Sequence, residues 1–531
     1  MKVLLVCMPF ADLSRPALGL SLLKARLHET GVACDVAYLN LAFGQMVGAE
    51  DYGRVCPGLP SVTLAGEWVF AAALNGTDGG DAQEYVADVL EHGWRPGQAE
   101  VEAALRARSL ARRFLDDALS RVPWSEYDIV GFGSFGAQNA AALALARRVT
   151  ERHPAVRVVF GGHNWSGSMG IALHRQFPFV DTAFLGHADA SFPQLVRALA
   201  RGDDAAARAA PGTCWRSADG RQHVTAAGPA RLLDALPTPD HGDYFRALRD
   251  NGMDGRLEAA VPLETSRGCW WAKRTPCMFC GGNGEEDRYS SKSPSRILQE
   301  IRELAVAWPG RLLDVADNVV SPRFLSDVLP GLAGSPEPPR LHFRIRPDVT
   351  LDSLKLIAAA NASVMCGIES LDDGLLALIN KGVSRRENLR LLQRCAELGV
   401  RVDWNLLFAI PGEAASDYAR QVELIDDLVA LDPPAGVAPL ALERYSPFWL
   451  RPAEHGFGTP RAAAAYSYVY PFPRSTLAEI AYFFDHDYSP SLSVRLHVTR
   501  LQRAVEAWQE QRRESRLDPG RGRADRPAQN A

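Results

Sequence analysis

Residues 264–286 read ETSRGCWWAKRTPCMFCGGNGEE, which sets Cys269, Cys277 and Cys280 in a C-x7-C-x2-C spacing. Thiols this close together serve disulfides, structural zinc or iron–sulfur clusters. A closed tetrahedral zinc site needs a fourth Cys or His. The next cysteine downstream is Cys366, and no histidine stands between His241 and His342. Three thiolates suit a 4Fe-4S cluster whose fourth iron is left open to an outside ligand. Zinc and incidental thiols are the competing readings.

Such a cluster must be carried by elements that present it to a substrate. The cysteines directly follow the apolar run AAVPLETS, the first strand of a strand–helix alternation that begins near 257. Later strands are RLLDVAD, LHFRIRP, ASVMCGIES, VRVDWNLLFAI and VAPLALERYS, with helices such as SPSRILQEIRELAVAW and SRRENLRLLQRCAELG between them. Roughly six βα units are too few to close an eight-stranded barrel, so 257–440 is expected to form a partial (β/α)6 barrel. The cysteine loop then lies at its carboxyl-terminal mouth, where active sites form.

Residues 1–235 read as an α/β domain with a doubly wound parallel sheet. MKVLLVCM, VACDVAYLN, YDIVGFGSF, VRVVFGGHN and VDTAFLGH are apolar runs that end on Gly or polar residues, mostly with helical segments between them. A ligand is expected at their carboxyl ends, on loops 8–16, 133–139, 161–170 and 186–189. Residues 45–120 interrupt the alternation with a helical insertion of no assignable role. Residues 236–256, punctuated by Pro and Asp, read as a linker. Residues 441–510 read as a helical, aromatic substrate region, and 511–531 as a disordered tail poor in large apolar residues.

The 531 residues are 47% hydrophobic and 23% charged, with a formal charge of −5. That charge argues against nucleic acid as the main partner. No apolar run is long enough to span a membrane. Six of the nine cysteines are dispersed, which suits a reducing cytoplasm better than a disulfide scaffold.

Beyond the cysteines, the barrel resembles the radical S-adenosylmethionine (SAM) superfamily, although the usual first gap is three residues and here it is seven. The resemblance implies that Cys269, Cys277 and Cys280 hold the cluster. It also implies that Phe279 packs near the SAM adenine, and that Glu369 of MCGIES lies near its ribose and methionine. Arg344 or Arg346 would approach the SAM carboxylate or the barrel floor, and LLFAIPGE (406–413) would flank the adenine. Asp317 and Asn318 are candidates for SAM or substrate contacts. Trp270 and Trp271 could wall a cavity or simply pack, Lys273 and Arg274 read as solvated, and Tyr445 and Tyr470 read as buried packing.

A doubly wound sheet ahead of such a barrel resembles cobalamin-binding radical SAM enzymes. The chain has no D-x-H-x-x-G, so a histidine lower ligand is not implied. GSFGAQN and GGHNWSGSMG would hold the corrinoid, with Ser134, Gly161, Gly162 and Ser166 as contacts. His163 and His187 read as hydrogen-bonding residues on these loops. A cofactor-free scaffold is the alternative. The blocks PFADLSRPALGLSLLKARLHETG, ETSRGCWW, CMFCGGNG, RYSSKSP and LDPPAGVAPLALERYSPFW are similar to radical SAM proteins that mature ribosomally made peptides, the RiPP maturation radical SAM protein 1 family. That implies a C-methyltransferase acting on a precursor peptide, served by an electron donor such as flavodoxin or ferredoxin. Other readings are a non-methylating radical SAM enzyme (cyclisation, epimerisation), methylation of a small molecule, and a non-catalytic peptide-binding module.

Overall fold

The computed structural model describes residues 1–77, 82–91, 96–228, 232–282, 284 and 289–517. The chain divides into two compact units, Met1–Leu263 with Arg461–Asp485, and Glu264–Pro460 with the chain from His486 onward.

The first unit is built on a seven-stranded sheet. Its strands are β1 (Lys2–Cys7), β2 (Ala33–Tyr38), β3 (Ile129–Gly133), β4 (Arg157–Gly161), β5 (Thr182–Phe184), β6 (Thr213–Arg216) and β7 (Gln222–Val224). The order is β2-β1-β3-β4-β5-β6-β7. The first five strands pair in parallel, as their apolar runs predict. Leu4, Leu5, Val6, Ile129, Val130, Val158 and Phe160 are buried because helices cover both faces. The β6–β7 hairpin is antiparallel and was not foreseen. Strand order reverses between β1 and β3, which marks the crevice where doubly wound sheets bind ligands. The loops after these two strands are joined, since Phe10 N donates to Ala137 O at 3.0 Å.

The insertion at 45–120 folds into helices Ala49–Val55, Ala65–Asn75 and Gln98–Arg121. Phe43, Tyr52, Phe70 and Phe114 gather against Phe10 of the first loop. The expected linker is instead part of this unit. Residues Gly242–Asp250 form a helix with Asp243, Tyr244, Phe245 and Leu248 buried. Asp243 accepts from Lys24 Nζ and Val36 N, both at 2.8 Å, and the unit ends on β8 (Val261–Leu263). Apolar residues at helical spacing and a buried ion pair make this segment core, despite its flanking Pro and Asp residues.

In the second unit, β11 (Leu313–Val315), β12 (Leu341–Ile345), β13 (Ala362–Cys366) and β14 (Val402–Asp403) pair in parallel. They follow a short antiparallel pair, β9 (Ser266–Arg267) and β10 (Ser290–Ser291). Strands β15 (Leu406–Phe408) and β16 (Val437–Pro439) form a separate parallel pair, joined to the larger sheet through the single bridge Glu369–Leu406. Of the six expected barrel strands, the first ends the first unit as β8 and the other five lie here, with VRVDWNLLFAI broken into β14 and β15. Their helices start as the residue types dictate. Ser384 and Glu387 make a capping box before Arg385–Leu398, which ends on left-handed Gly399.

The carboxyl-terminal region does not behave as one piece. Arg461–Asp485 belongs to the first unit, where Tyr468 bonds Asp88 at 2.6 Å and Asn75 bonds Val469 O at 2.9 Å. The helix Leu492–Leu517 belongs to the second and extends into the stretch expected to be disordered. Val494, Val498, Leu501, Val505 and Trp508 are buried at helical spacing along it, and each contributes about 1.5–3 kcal/mol of burial. Residues 518–531 lie outside the described residues. Among the described residues no helix is long and apolar enough to cross a membrane, and none of the cysteines is disulfide-bonded.

Candidate active site

The cysteine loop has a rigid stem. The buried carboxylate of Asp317, just after β11, accepts from Thr265 N at 2.7 Å, Thr265 Oγ1 at 2.5 Å and Ser266 Oγ at 2.6 Å. Asp317 is thus engaged in holding the strand that leads to Cys269, which leaves its neighbour Asn318 exposed beside the loop. Arg267 forks onto Glu264 with 2.8 and 2.7 Å bonds.

The wide gap between Cys269 and Cys277 is anchored by its tryptophans. Trp270 Nε1 donates to Val320 O at 3.0 Å. Trp271 lies under the Arg346 guanidinium, 3.4 Å from the ring centroid, and against Gly382. A Cβ at Gly382 would stand 2.5 Å from Trp271 Cζ2, so the stack needs a residue without a side chain there. The Trp271 indole N–H is buried with no acceptor among the described residues. Both tryptophans therefore brace the loop, while Lys273 and Arg274 are exposed as read from the sequence.

The far side of the loop is pinned by two segments distant in sequence. Met278 N donates to Ile379 O at 3.0 Å, and Asn380 Nδ2 to Pro276 O at 3.0 Å. From the ERYSPF block, Phe448 N donates to Met278 O at 3.0 Å, and Glu443 Oε2 accepts from Gly281 N at 2.9 Å. So held, the three sulfurs sense one another electrostatically. Burial pushes the Cys277 thiol up, with Cys269 adding to it. Burial likewise pushes Cys280 up to about 11, with Glu443, Cys277 and Cys269 contributing. Among the described residues no three His, Cys, Asp or Glu, these three cysteines included, converge closely enough to hold a metal ion.

Glu369 stands at the end of β13 with φ +61°, a conformation costly for a residue with a side chain. Its backbone O accepts from Leu407 N at 2.8 Å, and its carboxylate accepts from Lys381 Nζ at 3.0 Å. Gly367 makes room for this pair, since a Cβ there would lie 2.6 Å from Lys381 Nζ. Burial alone would lower the Lys381 ammonium, yet Glu369 and Cys277 outweigh it and the pKa is raised. The same ammonium sits 5.7 Å from the Phe279 ring centroid. Cys277, Phe279 and Glu369, named separately from the sequence, thus share one charged neighbour. Asn361, Asn380, Ala409 and Tyr445 of this unit also have positive φ, and of these Asn380 and Tyr445 stand in the segments that anchor the cysteine loop.

The two arginines of HFRIRP divide their work. Arg346 is buried, stacked on Trp271, and reaches Lys381 O, Gly382 O and Asp348. Arg344 is half-buried and donates to Asp317 O at 3.3 Å. Sequence reasoning missed Lys381, Asn380 and Glu443. Only Glu443 carried a signal, through its place in the ERYSPF block.

In the first unit the expected cradle loops come together. Gly162 (φ +98°) lies so close to Ser134 that a Cβ would stand 2.5 Å from its carbonyl oxygen. The Ser134 hydroxyl is buried, donating to Asn139 Oδ1 and accepting from Asn164 Nδ2. Ser166 Oγ donates to His163 O. Both serines therefore shape the loops from within. Gly161 has ordinary clearance. Phe135 is 71% exposed and, with His163 and Tyr482, forms an aromatic surface beside these loops. Tyr470 is buried in this unit, as its packing reading predicted.

The Radical SAM superfamily profile matches residues 263–425, so the second unit carries a radical SAM domain. An uncharacterized methyltransferase of Pyrococcus horikoshii is 22% identical over 312 residues, covering 57% of this chain and 64% of that protein. A tRNA-2-methylthio-N(6)-dimethylallyladenosine synthase of Acidithiobacillus ferrooxidans is 25% identical over 301 residues, covering 54% and 59%. The chain thus spans less than two thirds of the length of these curated relatives. Among solved structures, the cobalamin-dependent SAM radical enzyme OxsB with aqua-cobalamin bound aligns with a TM-score of 0.61 at 14% identity, covering 94% of this chain and 66% of that one. The radical SAM methyltransferase TsrM from Kitasatospora setae, with cobalamin and a [4Fe-4S] cluster bound, aligns at 0.60 with 16% identity, covering 98% and 99%. At these identities the likeness is one of fold.

Proposed function

We propose that the chain is a cobalamin-dependent radical SAM methyltransferase that C-methylates unactivated carbon of a ribosomally made precursor peptide. The observation that carries this reading is the triad Cys269, Cys277 and Cys280 on one loop braced by Val320, Arg346, Ile379–Gly382 and the Glu443–Phe448 block. Three soft thiolates fit a 4Fe-4S cluster with one open iron better than a closed zinc site. When bound, the cluster and SAM supply a one-electron cleavage able to open an inert C–H bond, and a corrinoid supplies a methyl group.

This chain's residues would bind and orient these groups. Phe279 offers an apolar face next to Cys280, and Asn318 and Arg344 offer hydrogen-bond donors at the strand ends. Glu369 offers an acceptor held by Lys381. In the first unit, the close-packed backbone at Gly162 and the exposed Phe135 with His163 and Tyr482 suit a broad, flat macrocycle. The cobalamin carried by OxsB and TsrM, which share this fold over nearly the whole chain, supports that assignment.

A peptide substrate rests on the ERYSPF and cysteine-gap blocks, which meet at Met278 and Gly281. A small-molecule substrate is the second reading, favoured by the TsrM structure with tryptophan substrate. An electron donor of flavodoxin or ferredoxin type and a reducing cytoplasm complete the proposal. The test is anaerobic reconstitution with iron and sulfide. SAM, methylcobalamin and a reductant are then added with either a leader–core peptide encoded beside the gene or free tryptophan. A mass gain of about 14 Da per methyl on the peptide supports the reading. SAM cleavage without methylation supports a non-methylating enzyme, and no cluster and no SAM cleavage refutes both.

A further inference from the structure

The helix Asn139–Arg152 follows β3 at the crevice where strand order reverses. The first backbone N–H groups of a helix are a ready-made site for an anion. Here they are already taken. Asn139 N donates to Glu67 Oε1 and Ala140 N to Glu67 Oε2, both at 2.6 Å, the short separation of charge-assisted bonds. The Tyr470 hydroxyl donates to Glu67 Oε2 at 3.1 Å and accepts from Asn139 Nδ2 at 2.8 Å. Each carboxylate oxygen thus has a donor, and none of these partners needs a proton from Glu67.

The approach is built for this purpose. Glu67 lies in the first turn of Ala65–Asn75, so two helix N-termini face one carboxylate. The helix Asn139–Arg152 has no acidic residue in its own first turn and no capping side chain. Its preceding residue, Gln138, is engaged with Phe135 N and Met8 O. Gly66 is the one residue type that fits beside Glu67, since a Cβ there would lie 2.8 Å from both Ala137 Cβ and Phe10 Cδ2. Leu64 enters the helix at φ +51°, a strained conformation held by its surroundings.

We propose that Glu67 is a built-in anion that occupies the anion site at the N-terminus of this helix and closes that site to a ligand's phosphate. The insertion at 45–120 delivers this anion, and the returning segment Arg461–Asp485 seals it with Tyr470. The exclusion covers a phosphate seated on the N-terminus of Asn139–Arg152, and it holds whether or not the unit takes a corrinoid. Any ligand of this crevice must place its own phosphate elsewhere.

The test uses the full chain at pH 8, with inorganic phosphate as the probe in calorimetric titrations at constant ionic strength. Wild type is expected not to bind it with saturation. Glu67→Ala vacates two backbone N–H groups, and its apparent Kd for phosphate is expected to be at least about tenfold tighter than that of wild type. Saturable binding of phosphate to wild type overturns the proposal, and so does a folded Glu67→Ala with no gain. If Glu67→Ala does not fold, the infrared difference between wild type and Glu67→Gln at pH 8 decides. A carboxylate band sustains the built-in anion, and a protonated-carboxyl band overturns it.

Discussion

Gly382→Ala tests whether the wide cysteine gap is held by the Trp271 stack. Gly382 has φ +69°, and an added Cβ would stand 2.5 Å from Trp271 Cζ2 and 3.2 Å from Cη2. Gly399 is a matched control, because its φ is also +69° and nothing lies within 4 Å of its would-be Cβ. Both substitutions incur the left-handed backbone cost of about 1–2 kcal/mol. Only Gly382→Ala adds overpacking of about 1–3 kcal/mol, and it pushes Trp271 off the Arg346 guanidinium. The expected difference in unfolding free energy between the two variants is therefore about 1–3 kcal/mol, read from denaturant midpoints of the apo chain. After anaerobic reconstitution, iron and sulfide per chain and the visible absorbance of the cluster should fall for Gly382→Ala and hold for Gly399→Ala. Equal stability loss and equal cluster loading in the two variants would refute the idea that Trp271 braces the loop.

Cys269→Ala, Cys277→Ala and Cys280→Ala are each expected to abolish cluster absorbance and SAM cleavage. Cys366→Ala, which removes a buried thiol of β13, should keep both, and retained cleavage in any of the first three would break the ligand assignment. Glu443→Ala leaves the Gly281 N–H without its acceptor, at about 1–3 kcal/mol. The expected result is a faster loss of iron on gel filtration with an unchanged far-ultraviolet circular dichroism spectrum. Burial raises Glu67 from 4.5 to about 7, against the pull of the Ala140 and Asn139 N–H groups and Tyr470. Between those pH values the folded state keeps a proton that the unfolded state has lost, so Glu67 is the anion above that window, as at pH 8, and stability falls as pH rises through it, by about 3 kcal/mol in all. Glu67→Gln should flatten that slope in denaturant titrations. Its titratable neighbours Tyr470 and Cys56 are both shifted upward, out of this window.

How much of this was legible in the sequence follows from where each interaction lies along the chain. The strands β1 to β5 were readable because helices bury both their faces, which forces continuous apolar runs such as VLLVC and IVGFG. The three cysteines were readable as one group because their close spacing lies within a single stretch of sequence. What holds the triad was not, since Ile379–Gly382 and Glu443–Phe448 lie about a hundred residues or more from Cys277 and announce no period. The linker reading failed for a related reason. Pro and Asp suggest a boundary, but Lys24 and Val36, more than two hundred residues earlier, supply the partners that bury Asp243. The seven-residue gap shows why these distant anchors are needed. A longer loop loses more conformational entropy on being ordered, by about 1–2 kcal/mol per residue fixed. A bare seven-residue span could not keep three thiols in register. The indole hydrogen bond of Trp270, the Arg346–Trp271–Gly382 stack and the backbone bonds at Met278 and Gly281 offset that loss. The residues that look decorative inside the gap are thus what hold the wide gap in one conformation.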